Sequence, residues 1–149
     1  MAEVLFYHLT LSTLEEALPA LLERTLQRGW KAVVQTGSEE RRDSLDAHLW
    51  VYRDDSFLAH GTDLDLHAAA QPIMLTVSQD NPNGAAVRFV VDGADPPPAD
   101  GYERMVFMFD GHDNSQVEAA RAHWSTNKKA GHSVTYWQQT DDRRWERKA

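Results

Sequence analysis

The sequence contains no cysteine among its 149 residues. That absence excludes disulfides, a thiol nucleophile, covalent haem attachment and any cysteine-ligated zinc site. No run of 18 or more apolar residues occurs, so no membrane-spanning helix is predicted. The first residues also lack the basic start and long apolar stretch of a secretory signal. We therefore expect a soluble, cytoplasmic protein with no membrane contact.

The glycine motifs that bind phosphate groups are also missing. The turn after the first predicted strand reads Thr10-Leu-Ser-Thr13 and not Gly-x-Gly-x-x-Gly. A Gly-x-x-x-x-Gly-Lys-Ser/Thr loop and a Gly-x-Ser-x-Gly elbow occur nowhere in the chain. The sequence therefore gives no support for nucleotide binding or for a serine hydrolase, and we predict no cofactor.

Positive charge is scarce and unevenly distributed. The chain has 15 Lys and Arg against 23 Asp and Glu, a net charge of −8. Residues 121–149 hold seven Lys and Arg against three Asp and Glu, a net +4, which leaves −12 on residues 1–120. The total argues against direct binding of nucleic acid over a broad surface. A basic end on an acidic body suits capture of one small acidic partner, such as a peptide tail, although the last nine residues also fit a solvated tail.

The order of predicted elements is that of an α/β fold. Hydrophobic runs predict strands near residues 4–9, 30–36, 72–77, 86–91, 104–109 and 132–138. Helices are predicted to begin at Ser12 or Thr13, at Gly37-Ser38, and at Asp113 or Asn114, the last running to about Lys129. Pro19 inside the first helix predicts a kink or a later start.

These elements predict one domain. Alternation of strands and helices favours a mixed, mostly parallel sheet with helices on both faces, Rossmann-like but without the nucleotide-binding glycine motif. We assign residues 1–140 to this α/β domain. Residues 141–149 have few apolar side chains and are predicted to form a loosely held basic C-terminal tail.

The last predicted helix carries a basic and aromatic stripe. Val117, Arg121, Trp124 and Lys128 are spaced by four, three and four residues, so they share one helix face. Such a stripe beside a strand can hold a peptide carboxylate through arginine and an apolar side chain beside tryptophan. Alternatively, Val117 and Trp124 belong to the core and Arg121 extends past them to solvent. The pattern leaves both interpretations open.

Two large aromatic residues flank a charged turn in the middle of the chain. Leu45 and Leu49 are four residues apart on one helix face, Trp50 lies about 100° further round, and Phe57 follows the turn. Trp50 and Phe57 are either core residues or a surface anchor pair for a protein partner.

Clusters of Asp and His could suggest a metal site. Asp110, His112 and Asp113 follow a predicted strand at a sheet edge, which makes a metal-dependent hydrolase the alternative function. A second set with alternating positions consists of Asp63, Asp65 and His67. Neither set has the His-Glu-x-x-His spacing or another defined ligand spacing, and loops of this composition are usually only solvated.

Several local motifs together resemble the chi subunit family of bacterial DNA polymerase III, over roughly residues 3 to 138. The matching pieces are Phe6-Tyr-His-Leu9, Leu45-Asp-x-x-Leu-Trp50 followed by Ser56-Phe-x-x-His60, and Ala120-Arg-x-x-Trp124 with Ala130-Gly131. The resemblance implies a non-catalytic accessory subunit of the clamp-loader assembly. It also implies that the chain holds the acidic C-terminal tail of single-stranded-DNA-binding protein, which ends in Asp-Phe.

The resemblance also implies roles for individual residues. Arg121 would pair with tail carboxylates with help from Lys128, while Val117 and Trp124 would shape a pocket for the terminal Phe. Trp50 and Phe57 would contact the psi subunit or a substitute partner. The chain departs from the family in carrying Val117 and Ser125 where lysine is common, and in a basic segment about ten residues past the usual end.

Three interpretations therefore remain. The binding subunit accounts for the missing catalytic motifs, the basic aromatic helix and the aromatic pair. The metal-dependent hydrolase accounts for one loop. An α/β domain with no defined partner accounts for the fold but not for the uneven charge.

Overall fold

The computed structural model describes residues 2–51, 60–65 and 67–149. Three α-helices and eight strands are formed in this part of the chain. The helices are α1 (Leu14–Gln27), α2 (Glu39–Trp50) and α3 (Asn114–Lys129). The strands are β1 (Glu3–Leu9), β2 (Ala32–Gln35), β3 (His60–Thr62), β4 (Ile73–Thr76), β5 (Val87–Val90), β6 (Arg104–Asp110), β7 (Ser133–Gln139) and β8 (Trp145–Arg147).

The described strands form one sheet in the order β3-β4-β2-β5-β6-β1-β7-β8. Every neighbouring pair is parallel except β7 and β8, which are antiparallel. The predicted mixed, mostly parallel α/β sheet is therefore confirmed.

Alternate residues of the central strands bury two separate cores. In β1, Leu5 and Leu9 join the core beneath α1 and α2, whereas Val4 and Phe6 join the core beneath α3. This two-residue period follows from the pleat of a strand, whose successive side chains point to opposite faces. It places α1 and α2 on one face and α3 on the other, as predicted.

Helix α1 begins at Leu14, so Pro19 does not mark a later start. Thr13 caps the helix, with its hydroxyl accepting the Glu16 N–H and the Glu16 carboxylate accepting the Thr13 N–H. Pro19 cannot donate to the carbonyl of Glu15, four residues earlier. The Nε2–H of His48 in α2 donates to that carbonyl at 2.8 Å instead. The proline is therefore accommodated by a contact between the two helices.

Two short strands were not predicted. The first is β3, which pairs with β4 at one edge of the sheet. The composition of His60–Thr62 does not predict a strand. The strand is held by contacts with its neighbours: His60 lies against Asp46 of α2, and Asp65 accepts the Thr62 N–H. Likewise β8 lies within residues 141–149, the segment predicted to be a tail, and pairs with β7.

None of the helices formed by residues 2–51, 60–65 and 67–149 combines the length and apolar character needed to cross a bilayer.

Candidate functional site

Helix α3 is fixed at both ends by its own sequence. The Asp113 carboxylate accepts the N–H groups of Ser115 and Gln116, which satisfies amides that the first helical turn leaves free. After the helix, Gly131 takes a φ of +86°, a conformation that favours glycine. The helix connects β6 to β7, which lie on either side of β1. It therefore packs over β6, β1 and β7.

A pocket of about 340 Å³ opens between α3 and the sheet beneath it. Val117, Arg121 and Trp124, predicted from spacing alone to share a helix face, all line it. Val117 and Trp124 also pack, partly buried, against the core beneath α3, so these two residues contribute both to the core and to the pocket wall. The remaining lining residues come from α3, from the strands and from beyond β8: Phe6, His8, Phe109, Ala120, Tyr136 and Ala149.

The aromatic rings of the pocket hold one another in place. Trp124 lies edge-to-face on Phe6, with centroids 5.4 Å apart, and on Tyr136, at 6.1 Å. Phe6 in turn stacks on buried Phe107 at 4.6 Å. Because edge-to-face and offset-stacked pairs are the favoured aromatic geometries, the indole is oriented before any ligand arrives. A preoriented ring lowers the entropy cost of binding an apolar side chain.

Polar groups occupy part of the pocket wall. Arg121 is exposed and forms no ion pair within the described residues. Burial raises the pKa of the Tyr136 hydroxyl, and the nearby charge of Arg121 opposes that rise, which places the guanidinium within electrostatic reach of the pocket. An anionic group entering the pocket could therefore pair with Arg121, which has no carboxylate partner in the described part of the chain.

His8 supplies a second polar group. Its Nδ1 shares a hydrogen bond with the Tyr136 hydroxyl. Burial, and then the neighbouring His112, lower the pKa of His8, while Asp110 opposes them, so the neutral imidazole is favoured. Gly111 permits this arrangement, because a Cβ at that position would clash with the His8 ring.

Lys128 lies outside the pocket lining. Its ammonium group sits over the Trp124 ring, 5.5 Å from the centroid. The structure thus brings together three of the four residues of the predicted stripe in the pocket, and it places the fourth beside the same indole.

The middle aromatic pair is described only in part. Trp50, the last residue of α2, is 54% exposed, and its ring centroid lies 4.4 Å from that of His60. The following Val51 is 79% exposed. Phe57 lies outside the described residues. For Trp50, this exposure favours the surface interpretation over the core interpretation.

The Asp and His residues of the alternative metal site serve the local backbone. Asp113 caps α3, Asp110 accepts the His112 N–H at 2.8 Å, and the His112 Nε2–H donates to the Thr10 carbonyl at 2.9 Å. In the other set, Asp63 binds Arg42 and Thr76, while Asp65 accepts the Thr62 N–H. Within residues 2–51, 60–65 and 67–149, no group of three His, Cys, Asp or Glu side chains is placed to hold a metal ion.

Sequence reasoning missed the strand residues of the pocket. Phe6 and His8 project from the same face of β1, and β1 pairs with β7 so that Phe6 lies beside Tyr136. The two-residue period of a strand predicts that Phe6 and His8 share a face. The local sequence pattern does not predict the sheet order, which places β7 and its Tyr136 next to β1.

Comparisons with known proteins point to one family. The family model described as DNA polymerase III chi subunit, HolC, matches residues 1–135. A protein of Rickettsia prowazekii (strain Madrid E) described as "Probable DNA polymerase III subunit chi" is 30% identical over 95 residues. That alignment covers 64% of this chain and 58% of the relative, so the chain spans less than two thirds of the relative's length. The family match includes all of α3 and every strand that lines the pocket except β7, which it enters as far as residue 135.

Proposed function

Because the chain belongs to the DNA polymerase III chi subunit family, we propose that it is a replication accessory subunit that binds the acidic C-terminal tail of single-stranded-DNA-binding protein. The tail would occupy the pocket beneath α3. Through this contact the chain would link that protein to the polymerase III clamp-loader assembly, and it would reach DNA only through its partner.

The observation that carries this proposal is an apolar aromatic pocket beside an exposed arginine. A tail ending in Asp-Phe presents an aromatic ring and carboxylates only a few ångströms apart. Phe6, Trp124 and Tyr136 offer ring faces and edges to the terminal Phe. Arg121 offers a charge-assisted hydrogen bond to a carboxylate. The two halves of the ligand therefore match the two halves of the site.

Lys128 would assist from outside the pocket. Its ammonium lies over the Trp124 ring, where it adds positive charge beside the pocket. The acidic residues that precede Asp-Phe in the tail are expected to contact this charge more loosely than the end of the tail contacts Arg121. Exposed charge pairs contribute little individually, about 0–1 kcal/mol.

A second surface would join the chain to the clamp-loader assembly. Trp50 ends α2 more than half exposed, next to exposed Val51. Large exposed aromatic side chains are enriched among residues that anchor protein interfaces. We propose that Trp50, together with Phe57, contacts the psi subunit or a substitute partner. In the part of the chain that the structure describes, no observation favours the alternative metal-dependent hydrolase.

The test is a titration with a labelled synthetic peptide of acidic residues ending in Asp-Phe, followed by fluorescence anisotropy. A control peptide lacks the terminal Phe, and a second carries the same composition in scrambled order. Saturable binding of the first peptide alone, lost when Val117→Trp fills the pocket, is the expected result. No binding at high micromolar peptide and low salt would contradict tail binding.

A further inference from the structure

A second pocket, of about 450 Å³, lies on the face of the sheet opposite α3. It is bordered by the C-terminal half of α1 and by side chains of β1, β5, β6 and β7. Three arginines, Arg24, Arg28 and Arg104, line it together with a single carboxylate, that of Glu3. The pocket therefore has an excess of positive charge, whereas the chain as a whole carries a net charge of −8. We call this site the arginine cleft.

Two of the three arginines of the cleft are held by a ring contact, and only one of the three is paired with a carboxylate. Arg28 and Arg104 both lie over the ring of Trp30, each with its guanidinium carbon 5.5 Å from the centroid. Within the described chain, Arg24 and Arg28 form no ion pair, and Arg104 pairs only with half-exposed Glu3 at 3.2 Å. The Nε of Arg104 is buried and has no acceptor among the described residues. A buried donor without a partner is costly, so an incoming acceptor at this point would be favoured.

The position of α1 explains only part of this charge. Cations near a helix C-terminus are favoured by the helix dipole, which accounts for Arg24 and Arg28. Arg104 belongs to β6, a different element, and its guanidinium nevertheless converges on the same space. All three arginines act on one group: burial raises the pKa of the Tyr7 hydroxyl, and the charges of Arg104, Arg24 and Arg28 each oppose the rise, whereas Glu3 adds to it.

The cleft also has an apolar side. Tyr7 and Trp137 line it side by side, with centroids 6.3 Å apart and ring planes within 19°. The Trp137 indole N–H donates to the Thr135 hydroxyl at 3.0 Å, which holds the ring in one orientation. An occupant can therefore place an anion on the guanidiniums and an apolar group on the rings.

From these contacts we propose that the arginine cleft is a docking site for an acidic peptide segment of a partner protein, one that carries an aromatic or aliphatic side chain between its carboxylates. The carboxylates bind Arg24, Arg28 and Arg104, and the apolar side chain packs on Tyr7 and Trp137. Residues 1–120 carry a net −12, which repels a strand with a charge on every nucleotide. A short segment with a few carboxylates meets less of that long-range repulsion and can still pair with the three arginines.

This site is separate from the α3 pocket. The α3 pocket is lined by Phe6 and His8 of β1, whereas the arginine cleft is lined by Leu5 and Tyr7, which point to the other face. The inference does not depend on the proposed tail binding, and either can fail without the other.

The probe is a fluorescein-labelled peptide Glu-Asp-Phe-Asp-Glu, blocked at both ends so that it has no terminal carboxylate. The first variant is Arg24→Gln with Arg28→Gln, both exposed and outside the core. The second is Arg104→Gln. The matched control, Arg143→Gln with Arg144→Gln, removes the same charge from exposed positions away from the cleft. We expect each cleft variant to weaken binding about tenfold or more, and the charge-matched control to leave it within about twofold.

Three results would overturn the inference. The first is no saturable binding by the unaltered chain at low salt. The second is equal weakening by the cleft variants and by the charge-matched control, since only net charge would then matter. The third is a dodecathymidylate that binds more tightly than the peptide and loses affinity with the same variants, which would assign the cleft to nucleic acid. Circular dichroism and thermal unfolding of each variant ensure that lost binding is not lost folding.

Discussion

At the scale of single residues, Arg121 is the cation that we expect to contribute most to binding of the tail. It lines the α3 pocket and has no ion-pair partner among the described residues. We predict that Arg121→Ala weakens binding of the Asp-Phe tail peptide by about 1.5–3 kcal/mol, the range for hydrogen bonds to charged groups. Folding stability should change by no more than about 0.5 kcal/mol, because the side chain is exposed.

The control for that prediction is Arg144→Ala, which removes the same charge from a side chain that is 84% exposed. Isothermal titration calorimetry on both variants separates a local contact from the effect of net charge. If the two variants lose equal affinity, Arg121 does not belong to the site.

His123 gives a prediction on pH. Its ring stacks on Phe107 at 5.0 Å, and burial lowers its pKa, with Asp95 opposing. The folded chain therefore prefers the neutral imidazole. The contribution of neutral His123 to the free energy of unfolding is fully present above the unfolded-state pKa of about 6.5. This contribution is lost as the pH falls below that value.

We expect the free energy of unfolding of the unaltered chain to fall between pH 7.5 and pH 5.5. His123→Phe keeps an apolar ring on Phe107 but cannot titrate, so its loss over that interval should be smaller. Urea unfolding at both pH values measures the difference. Exposed His67→Gln serves as the comparison, and an equal pH dependence in all three chains would contradict the assignment to His123.

At the scale of elements, the last turn of α2 has an inner and an outer side. Leu49 is 3% exposed and joins the core, whereas the next residue, Trp50, is 54% exposed. We predict that Leu49→Ala costs about 2–5 kcal/mol of stability and that Trp50→Ala costs about 1 kcal/mol or less. Trp50→Ala should instead reduce binding of the psi subunit or a substitute partner.

Chemical denaturation and co-purification with psi test the two sides together. A stability loss for Trp50→Ala as large as that for Leu49→Ala would return Trp50 to the core. Unchanged association with the partner would remove it from the interface.

Strand β8 allows a test of the boundary predicted at residue 140. Trp145 lies edge-to-face on Tyr7, with centroids 4.8 Å apart. Strand β8 pairs with β7 at three positions, of which one joins Trp145 to Gln139. Because of this packing, Trp145→Ala should cost about 1–2 kcal/mol of stability, while Arg144→Ala should cost almost nothing. A loss below about 0.5 kcal/mol would support the loosely held tail that composition alone predicts.

At the scale of the whole molecule, local pattern predicted most elements but not all of their contacts. The three helices begin at predicted caps because a capping side chain and its amide are neighbours in sequence. Strands β3 and β8 were missed because each depends on a partner strand distant in the chain. Arg88 shows the same limit: it lies in a correctly predicted strand, yet it is fully buried among neutral acceptors from Gln35, Ser78, Asp80 and Tyr102.

The candidate site divides in the same way. Helical spacing grouped Val117, Arg121 and Trp124, because residues three and four apart share a face. It could not find Tyr136 or His8, whose approach depends on the order of the strands. It also could not find the arginine cleft, where Arg104 and Arg28 are 76 positions apart in sequence but lie over one indole.

Two opposing electrostatic effects act on an acidic peptide, and the salt dependence of its affinity shows which one is larger. With a net −8, the whole chain repels an acidic peptide, whereas Arg121 in the pocket wall and Lys128 beside Trp124 attract it. Raising ionic strength from 0.1 M to 1 M shortens the screening length from about 10 Å to about 3 Å. Both effects shrink, but they change the affinity in opposite directions.

We predict that local attraction dominates, so that the dissociation constant of the Asp-Phe tail peptide rises with salt. The reason is distance: Arg121 lies within the pocket wall, while most of the negative charge is spread over the rest of the surface. Arg121→Ala should flatten the salt dependence, since it removes the cation nearest to the ligand. If added salt instead strengthens binding, the repulsion of the acidic body governs the encounter, and the α3 pocket would hold the tail through its aromatic rings alone.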